Sequence, residues 1–596
     1  MVTFPNMTHA FRKTLSFAIL FFLPISNTTF AQNNRTNRPR LVLVIVADQF
    51  RYDYLTRFGP LFGHGGFKRL LNQGASWTNA NFDYVPTKTS PGHTAIVTGA
   101  PPSVTGIIAN EWIERSTATK VTSVGDRTAR VVGGIETETP NSPRRLLAST
   151  VGDELRAALG DQVKVIGISD KPRAAILPAG KRANAAYWLG SRSGNVISSD
   201  YYFKELPEWL QAFNRTRPLD KYFGARWDRV LAEREYLKRA GPDSPPWEVI
   251  DHAPGFTNAF PHVITGGESS PGRQFYDALD HSPFVNEVIV SIAEEAITHE
   301  NLGGDEVTDL LAVSLSGTDH VGHRFGPASQ EVMDTVLRLD RQIARLLDFV
   351  DARVGLKNTL VAFSSDHGVA PLWQYSATKG LGRTRISNSE LMQTIRAAIK
   401  VRYGDKRDYI FQYKEGGQNK DAIINGNVYF NLDALARDGV RLDEITHLAG
   451  EAVLKVPGVA GYYTRAQLEN CRAQSKGAKS VDGPRTTMNR HARGTSCLTD
   501  FVGSRVLRGF DPERNGDLII MQKQYYYIGD SADPTSHATP YAYDTHVPVI
   551  LMGRGIRPGK YHRAAVPADI APTLSFLLGI KEPDRSQARV LREALR

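Results

Sequence analysis

The sequence predicts an α/β protein, with a mostly parallel central sheet flanked by helices and insertions that cap the mouth of the sheet. Three observations carry this. Mostly apolar runs recur at 41–47 (LVLVIVA), 163–168 (VKVIGI), 310–315 (LLAVSL), 359–363 (TLVAF) and 547–552 (VPVILM). Such runs suit parallel strands buried on both faces. Between the third and fourth, Val332, Val336, Leu339, Ile343, Leu346 and Val350 recur at three and four residues, as on one face of a helix. Polar residues able to do chemistry adjoin these runs, mostly at their C-terminal ends, where an open α/β sheet places its ligands.

Taken in order, the chain opens with Arg12 and Lys13, an apolar run at 15–25 (LSFAILFFLPI) and then Thr29-Phe30-Ala31. This is the pattern of a signal peptide over 1–31, cut after Ala31, and it implies a periplasmic or secreted protein with no membrane contact after cleavage. The run is short for a bilayer span, so an uncleaved anchor is only the runner-up. After a polar linker, residues 40–190 read as the first part of the core. Residues 191–286 are rich in Trp, Tyr, Pro and charge and read as a cap insertion. Core resumes over 287–372 and carries metal-ligand candidates. A second insertion spans 373–515, and 516–596 complete the core. That second insertion holds the two cysteines, Cys471 and Cys497, which in an exported protein form a candidate disulfide.

Composition narrows the function. With 596 residues, 41% hydrophobic and 22% charged, the chain can bury a large core. A mean hydropathy of −0.31 argues against a polytopic membrane protein. The net charge of +10 is spread along the chain. It suits a small anionic substrate, and without a basic run interleaved with aromatics it gives no support to a nucleic-acid partner.

The most informative stretch is 86–99, PTKTSPGHTAIVTG. It reads as a loop that carries a nucleophile and turns into a helix, with Pro91 and Gly92 as the turn. Thr89 lies just ahead, where helix N–H groups would face an anion. A free hydroxyl is a poor nucleophile at neutral pH and needs a base or a metal. Metal-ligand candidates are plentiful. Asp48 ends the first strand. Asp319 and His323 stand four residues apart. Asp366 and His367 end another strand, and His546 precedes the last. Oxygen and nitrogen donors without thiolate favour zinc, and six such ligands plus the Thr89 oxygen would fill two sites. Any one Asp-His pair is ordinary surface chemistry; several at strand ends are not.

These stretches together, LVIVADQFR, PTKTSPGHTAIVTG, SGTDHVGHRFGP, SSDHGV, YDTHVPVILMG and the tail ADIAPTL, resemble the alkaline phosphatase superfamily, in particular its PafA-type phosphate-monoester phosphatases. The resemblance spans nearly all of the chain after the signal. It implies an alkaline-phosphatase-like fold and two zinc ions. One would be held by Asp319, His323 and His546, the other by Asp48, Asp366 and His367, with Thr89 as the nucleophile bound to it. Asn110 would contact a phosphoryl oxygen, and Lys171 and Arg173 would surround the phosphate. His93, His320 and His537 would have supporting or structural roles. The implied reaction is hydrolysis of small phosphate monoesters through a phosphothreonine intermediate.

The nearest alternative is a nucleotide pyrophosphatase/phosphodiesterase-type diester hydrolase on the same scaffold. Lys171 and Arg173 favour the doubly charged monoester. A sulfatase is disfavoured because Thr89-Ser90-Pro91-Gly92 lacks the C/S-x-P-x-R motif. A catalytically inactive periplasmic binding protein is the alternative from a different class, and the complete ligand set argues against it. The sequence leaves the physiological substrate and the oligomeric state open.

Overall fold

Every residue of Leu41–Ala47 (β1) is buried because this strand lies in the middle of a ten-stranded sheet. The structure, a computed structural model, describes residues 38–248, 256–381, 385–405, 407–477, 497–530 and 533–596. The signal reading over 1–31 lies outside the described residues. Pro39–Arg596 forms one unit. The other strands of the sheet are Gly74–Trp77 (β2), Val131–Val132 (β3), Val165–Ile168 (β4), Ala185–Leu189 (β5), Val196–Ser199 (β6), Asp309–Leu315 (β7), Thr359–Ser364 (β8), Val549–Gly553 (β9) and Gly559–Tyr561 (β10). Their spatial order is β10-β2-β9-β8-β1-β7-β4-β5-β6-β3.

The centre, β8-β1-β7-β4-β5, is parallel, as the apolar runs predict. Both flanks turn antiparallel, at β9 against β8 and at β6 against β5. At β6 the reason is the connection: only residues 190–195 link it to β5, too few for a parallel crossover.

Alternation along β1 divides the interior in two. Leu41, Leu43 and Ile45 point into a core shared with the long helix Gln330–Arg353, while Val42, Val44 and Val46 point into a second core shared with Ile570–Leu578. Each such buried side chain contributes roughly 1.5–3 kcal/mol. Residues 332–350 form the interior of Gln330–Arg353, and Ser329 caps its start by accepting from the Val332 N–H at 3.1 Å.

Stretch 191–286 packs beside the sheet. Its Leu210, Trp227, Tyr236 and Phe275 join the same core as Leu43. The Trp227 indole N–H donates to buried Asp334 at 2.7 Å, and the Tyr236 hydroxyl donates to the same carboxylate. Stretch 373–515 builds a core of its own, in which Leu391, Ile395 and Ile399 meet Ile445, Ala449 and Val453. Two of its strands, Gln412–Glu415 and Gln418–Asp421, extend a small sheet begun by Glu111–Glu114 and Thr119–Thr122. Cys471 and Cys497 are bonded, with Cα atoms 5.3 Å apart. Among the described residues no helix is long and apolar enough to cross a membrane.

Candidate active site

The register of four adjacent parallel strands builds the site. Ala47 lies opposite Leu315, Val46 opposite Ser364 and Val313 opposite Ile168, so β8, β1, β7 and β4 end along one edge. Beyond those ends come Asp366 and His367, then Asp48, then Asp319, then Lys171. Asp319 lies in the first turn of the helix Gly317–Phe325, and His323 lies one turn on. Thr89–Thr98 (α1) and Pro172–Ala179 (α2) approach the same edge; Lys171 is the residue before α2.

Ligand atoms of Asp48, Asp366 and His367 all lie within 4.8 Å of one another, as do those of Asp319, His367 and His537. All five residues are buried. Asp48 Oδ1, Asp366 Oδ2 and His367 Nε2 have no hydrogen-bond partner. Buried carboxylates crowded in this way need compensating positive charge. Part of it is Lys171, whose Nζ lies 2.7 Å from Asp48 Oδ2 and also contacts Asp319 Oδ2. Burial, followed by repulsion from Asp319 and Asp366, pushes the Asp48 carboxyl well above its ordinary range. Burial acts in the same direction on Asp319 and Asp366, but there the attraction of neighbouring side chains prevails. Lys171 and His323 hold Asp319 low, and His367 and His93 hold Asp366 low.

The imidazoles are set for metal binding. His323 Nδ1 faces the Thr535 carbonyl at 3.1 Å, His367 Nδ1 the Gly368 carbonyl at 2.8 Å, and His537 Nδ1 the Thr87 carbonyl at 2.6 Å. A carbonyl oxygen only accepts, so each Nδ1 carries a proton; Nε2 of His367 and His537 is left with a lone pair, while Nε2 of His323 lies 3.2 Å from Asp319 Oδ1, whose charge raises the His323 pKa. The His367 and His537 rings stack at 3.6 Å, and His323 is 5.2 Å from His537. Burial lowers His367, and lowers His537 well below its ordinary value, which favours the neutral form that a ligand needs. Orphaned carboxylate oxygens and bare imidazole nitrogens converging on one space fit a metal-dependent enzyme.

Thr89 is the first residue of α1 and not a loop residue ahead of it. Pro91 and Gly92, read as the turn, form the first helical turn. Proline is tolerated there because first-turn N–H groups have no intrahelical partner. His93 ties this helix to the ligands: its Nδ1 donates to the Thr89 carbonyl at 2.9 Å, lies 3.2 Å from Asp366 Oδ2, and its Nε2 meets Ser314 Oγ at 2.8 Å. Asn110 accepts from the Ser90 N–H at 2.8 Å and turns its amide Nδ2 toward Thr89 Oγ1 at 3.5 Å. Arg173 follows Lys171 by two residues, half-buried, with its Nε unpartnered.

Two expected ligands stand outside these two groups: His323, whose Nε2 is still 3.2 Å from Asp319 Oδ1, and His546, which is turned away. His546 donates from Nε2 to the Thr78 carbonyl at 3.0 Å and stacks on Tyr52 at 4.3 Å. His537 stands among the ligand atoms in its place. Strand-end reasoning favoured His546, which immediately precedes an apolar run, while His537 lies in the loop Thr535-Ser536-His537-Ala538-Thr539. A local signal for His537 is absent from the sequence; only the fold brings that loop to the carboxylates. Gln49 was also missed. It sits at φ 62° and donates from its side chain to Asp319 Oδ1 at 2.6 Å and from its backbone to Asp366 Oδ1 at 3.1 Å, bridging the two carboxylates.

A family model described as type I phosphodiesterase / nucleotide pyrophosphatase matches residues 42–544. Alkaline phosphatase PafA from Elizabethkingia meningoseptica is 33% identical over 97% of this chain and 98% of its own. The chain belongs to the alkaline phosphatase superfamily, among its PafA-type members. Alkaline phosphatase PhoV from Synechococcus elongatus is 34% identical, covering 94% of this chain and 93% of its own. The crystal structure of wild-type PafA superposes with a TM-score of 0.80 at 32% identity, covering 94% of this chain and 99% of that one. The PafA-type fold, with its central sheet, flanking helices and cap insertions, is therefore the fold of this chain.

Proposed function

We propose that this protein is an exported alkaline phosphatase that hydrolyses small phosphate monoesters through Thr89, with two zinc ions. One ion would be held by Asp48, Asp366, His367 and the Thr89 oxygen, the other by Asp319, His323 and His537. The observation that supports this most is the docking of α1: through His93 the start of the helix, with Thr89, is set against Asp366. When bound, the zinc pair would supply Lewis acidity, lowering the pKa of the Thr89 hydroxyl and offsetting charge on the leaving oxygen.

The remaining steps belong to the protein's own groups. Lys171 and Arg173 bind the phosphoryl oxygens, one as a point charge and one as a planar fork. The Asn110 amide, already beside Thr89 Oγ1, donates to a third oxygen. The N-terminal end of α1 adds partial positive charge beneath the attacking atom. Thr89 Oγ attacks phosphorus in line, an O–P bond forms, and the ester P–O bond breaks to release the alcohol. Water then cleaves the phosphothreonine to free phosphate and restore the hydroxyl.

A phosphodiesterase uses the same nucleophile and metals, and the matching family model carries that name. Lys171 and Arg173 favour the monoester, whose phosphoryl group bears two charges. The deciding measurement is kcat/KM of the zinc-loaded protein on nitrophenyl phosphate and on its methyl diester. The monoester is expected to be the better substrate. Lys171→Ala is expected to lower its kcat/KM by roughly 10²–10³, the usual cost of one stabilising contact, and to affect the diester less. Higher efficiency on the diester refutes the reading.

A further inference from the structure

Beside Lys171 the surface opens into a cavity of about 350 Å³ that also reaches His320, Asp170, Arg192 and Arg273. Three carboxylates line it: burial, followed by repulsion from Asp170, pushes Asp280 well above the ordinary carboxylate range, toward its neutral form, and the other two are engaged. Asp170 accepts from His320 Nε2 at 2.9 Å, and with Lys171 alongside it lies below the ordinary carboxylate range. Glu138 is spent on the loop after β5. It accepts from the Arg192 N–H at 3.3 Å, the Ser193 N–H at 3.1 Å and the Ser193 hydroxyl at 2.9 Å, and its other oxygen takes the Ile135 N–H at 3.2 Å. Gly190 permits this approach, since a Cβ there would come 2.4 Å from Glu138 Oε1.

That loop is thereby pinned to the rim with Arg192 on it. Arg273, at the start of the helix Arg273–Asp280, lines the same cavity. Both guanidinium groups are exposed, and among the described residues neither forms an ion pair. A cationic residue in a first helical turn runs against the helix dipole, so nothing in local helix stability calls for Arg273 there.

The geometry points to a second anion subsite, made by Arg192 and Arg273, that selects monoesters carrying another anionic group on the leaving side, such as a second phosphate or a carboxylate. It rests on the monoesterase reading: the reacting phosphate sits at Lys171 and Arg173, and the leaving group extends along the cavity. Guanidinium forks bind phosphate and carboxylate alike, so the two sources share one chemistry.

The test uses the zinc-loaded protein with hexose 6-phosphate, hexose 1,6-bisphosphate and a carboxyphenyl phosphate, each against its analogue without the distal anion. Wild type is expected to favour the doubly anionic member by at least about fivefold in kcat/KM, after correction for two equivalent esters. The preference should reside in KM and shrink as salt is raised. Arg192→Ala/Arg273→Ala is expected to erase it while activity on phenyl phosphate stays within about twofold. Arg192→Lys/Arg273→Lys should recover part of it. A wild type without preference, or a preference that survives the double alanine variant, overturns the subsite. If only the bisphosphate or only the carboxylate is favoured, the class narrows to that anion. Failure of wild type to hydrolyse any monoester would instead overturn the underlying function.

Discussion

Two histidines nine residues apart, His537 and His546, show how a single side chain decides this site. Both sit near the same sheet edge, yet only His537 turns Nε2 toward Asp319 and His367, while His546 spends its own on the Thr78 carbonyl. In the zinc-loaded protein, His537→Ala is expected to lose about one metal equivalent per chain, and His546→Ala to keep both, as read by elemental analysis. Equal losses would return His546 to the ligand set. Thr89→Ala addresses the nucleophile. Turnover should fall at least about a thousandfold, equivalent to about 4 kcal/mol of barrier, with carboxylates and imidazoles still holding metal. Near-normal turnover in that variant would reject Thr89.

At the scale of elements, the proposed chemistry depends on α1 packing closely against the chain that carries Asp366. Gly92 makes the contact possible, because a Cβ there would come 2.2 Å from the Asp366 carbonyl oxygen. In an exposed helix, Gly→Ala stabilises by about 1 kcal/mol. Here overpacking opposes it, and Gly92→Ala is expected to destabilise by roughly 1–3 kcal/mol and to lower kcat by shifting Thr89. A melting temperature at or above wild type would show that the contact is soft. The element itself was only partly legible: a helix after Thr89 follows from Ala95, Ile96 and Val97, but its start at Thr89 does not. Pro and Gly read as a turn until the packed partner is known.

For the molecule as a whole, the sheet stores a pH dependence far along β7 from the catalytic edge. Burial pushes the Asp309 carboxyl from 3.8 up to about 6, against backbone N–H groups of Gly303 and Lys164 that favour its charge. Folding therefore binds a proton in this window, and stability falls as pH rises from about 4 to 6. A shift of this size corresponds to roughly 3 kcal/mol. The stability gap between wild type and Asp309→Asn, from denaturant melts, is expected to narrow over that range by up to this amount. A gap that widens with pH would contradict the sign. Most of the fold at this scale was readable. β1, β7, β8 and the Gln330–Arg353 helix follow from apolar runs and period. The antiparallel flanks do not, since a buried strand has the same composition in either direction.

By itself the sequence determined which residues could do chemistry and roughly where: carboxylates and imidazoles next to apolar runs, a threonine before a helix, Lys171 and Arg173 after a strand. Strand ends announce themselves because burial demands unbroken apolar runs and polarity can resume only at the edge. Only the tertiary structure decided which of those side chains face one another. Asp48, Asp319 and Asp366 are brought together by strand order and register. His537 reaches them through a loop with no periodicity of its own, and its ring is aimed by one hydrogen bond to the Thr87 carbonyl. Spacing along a chain constrains neighbours within a turn or two; direction across a site is set by packing and by where each N–H finds its acceptor.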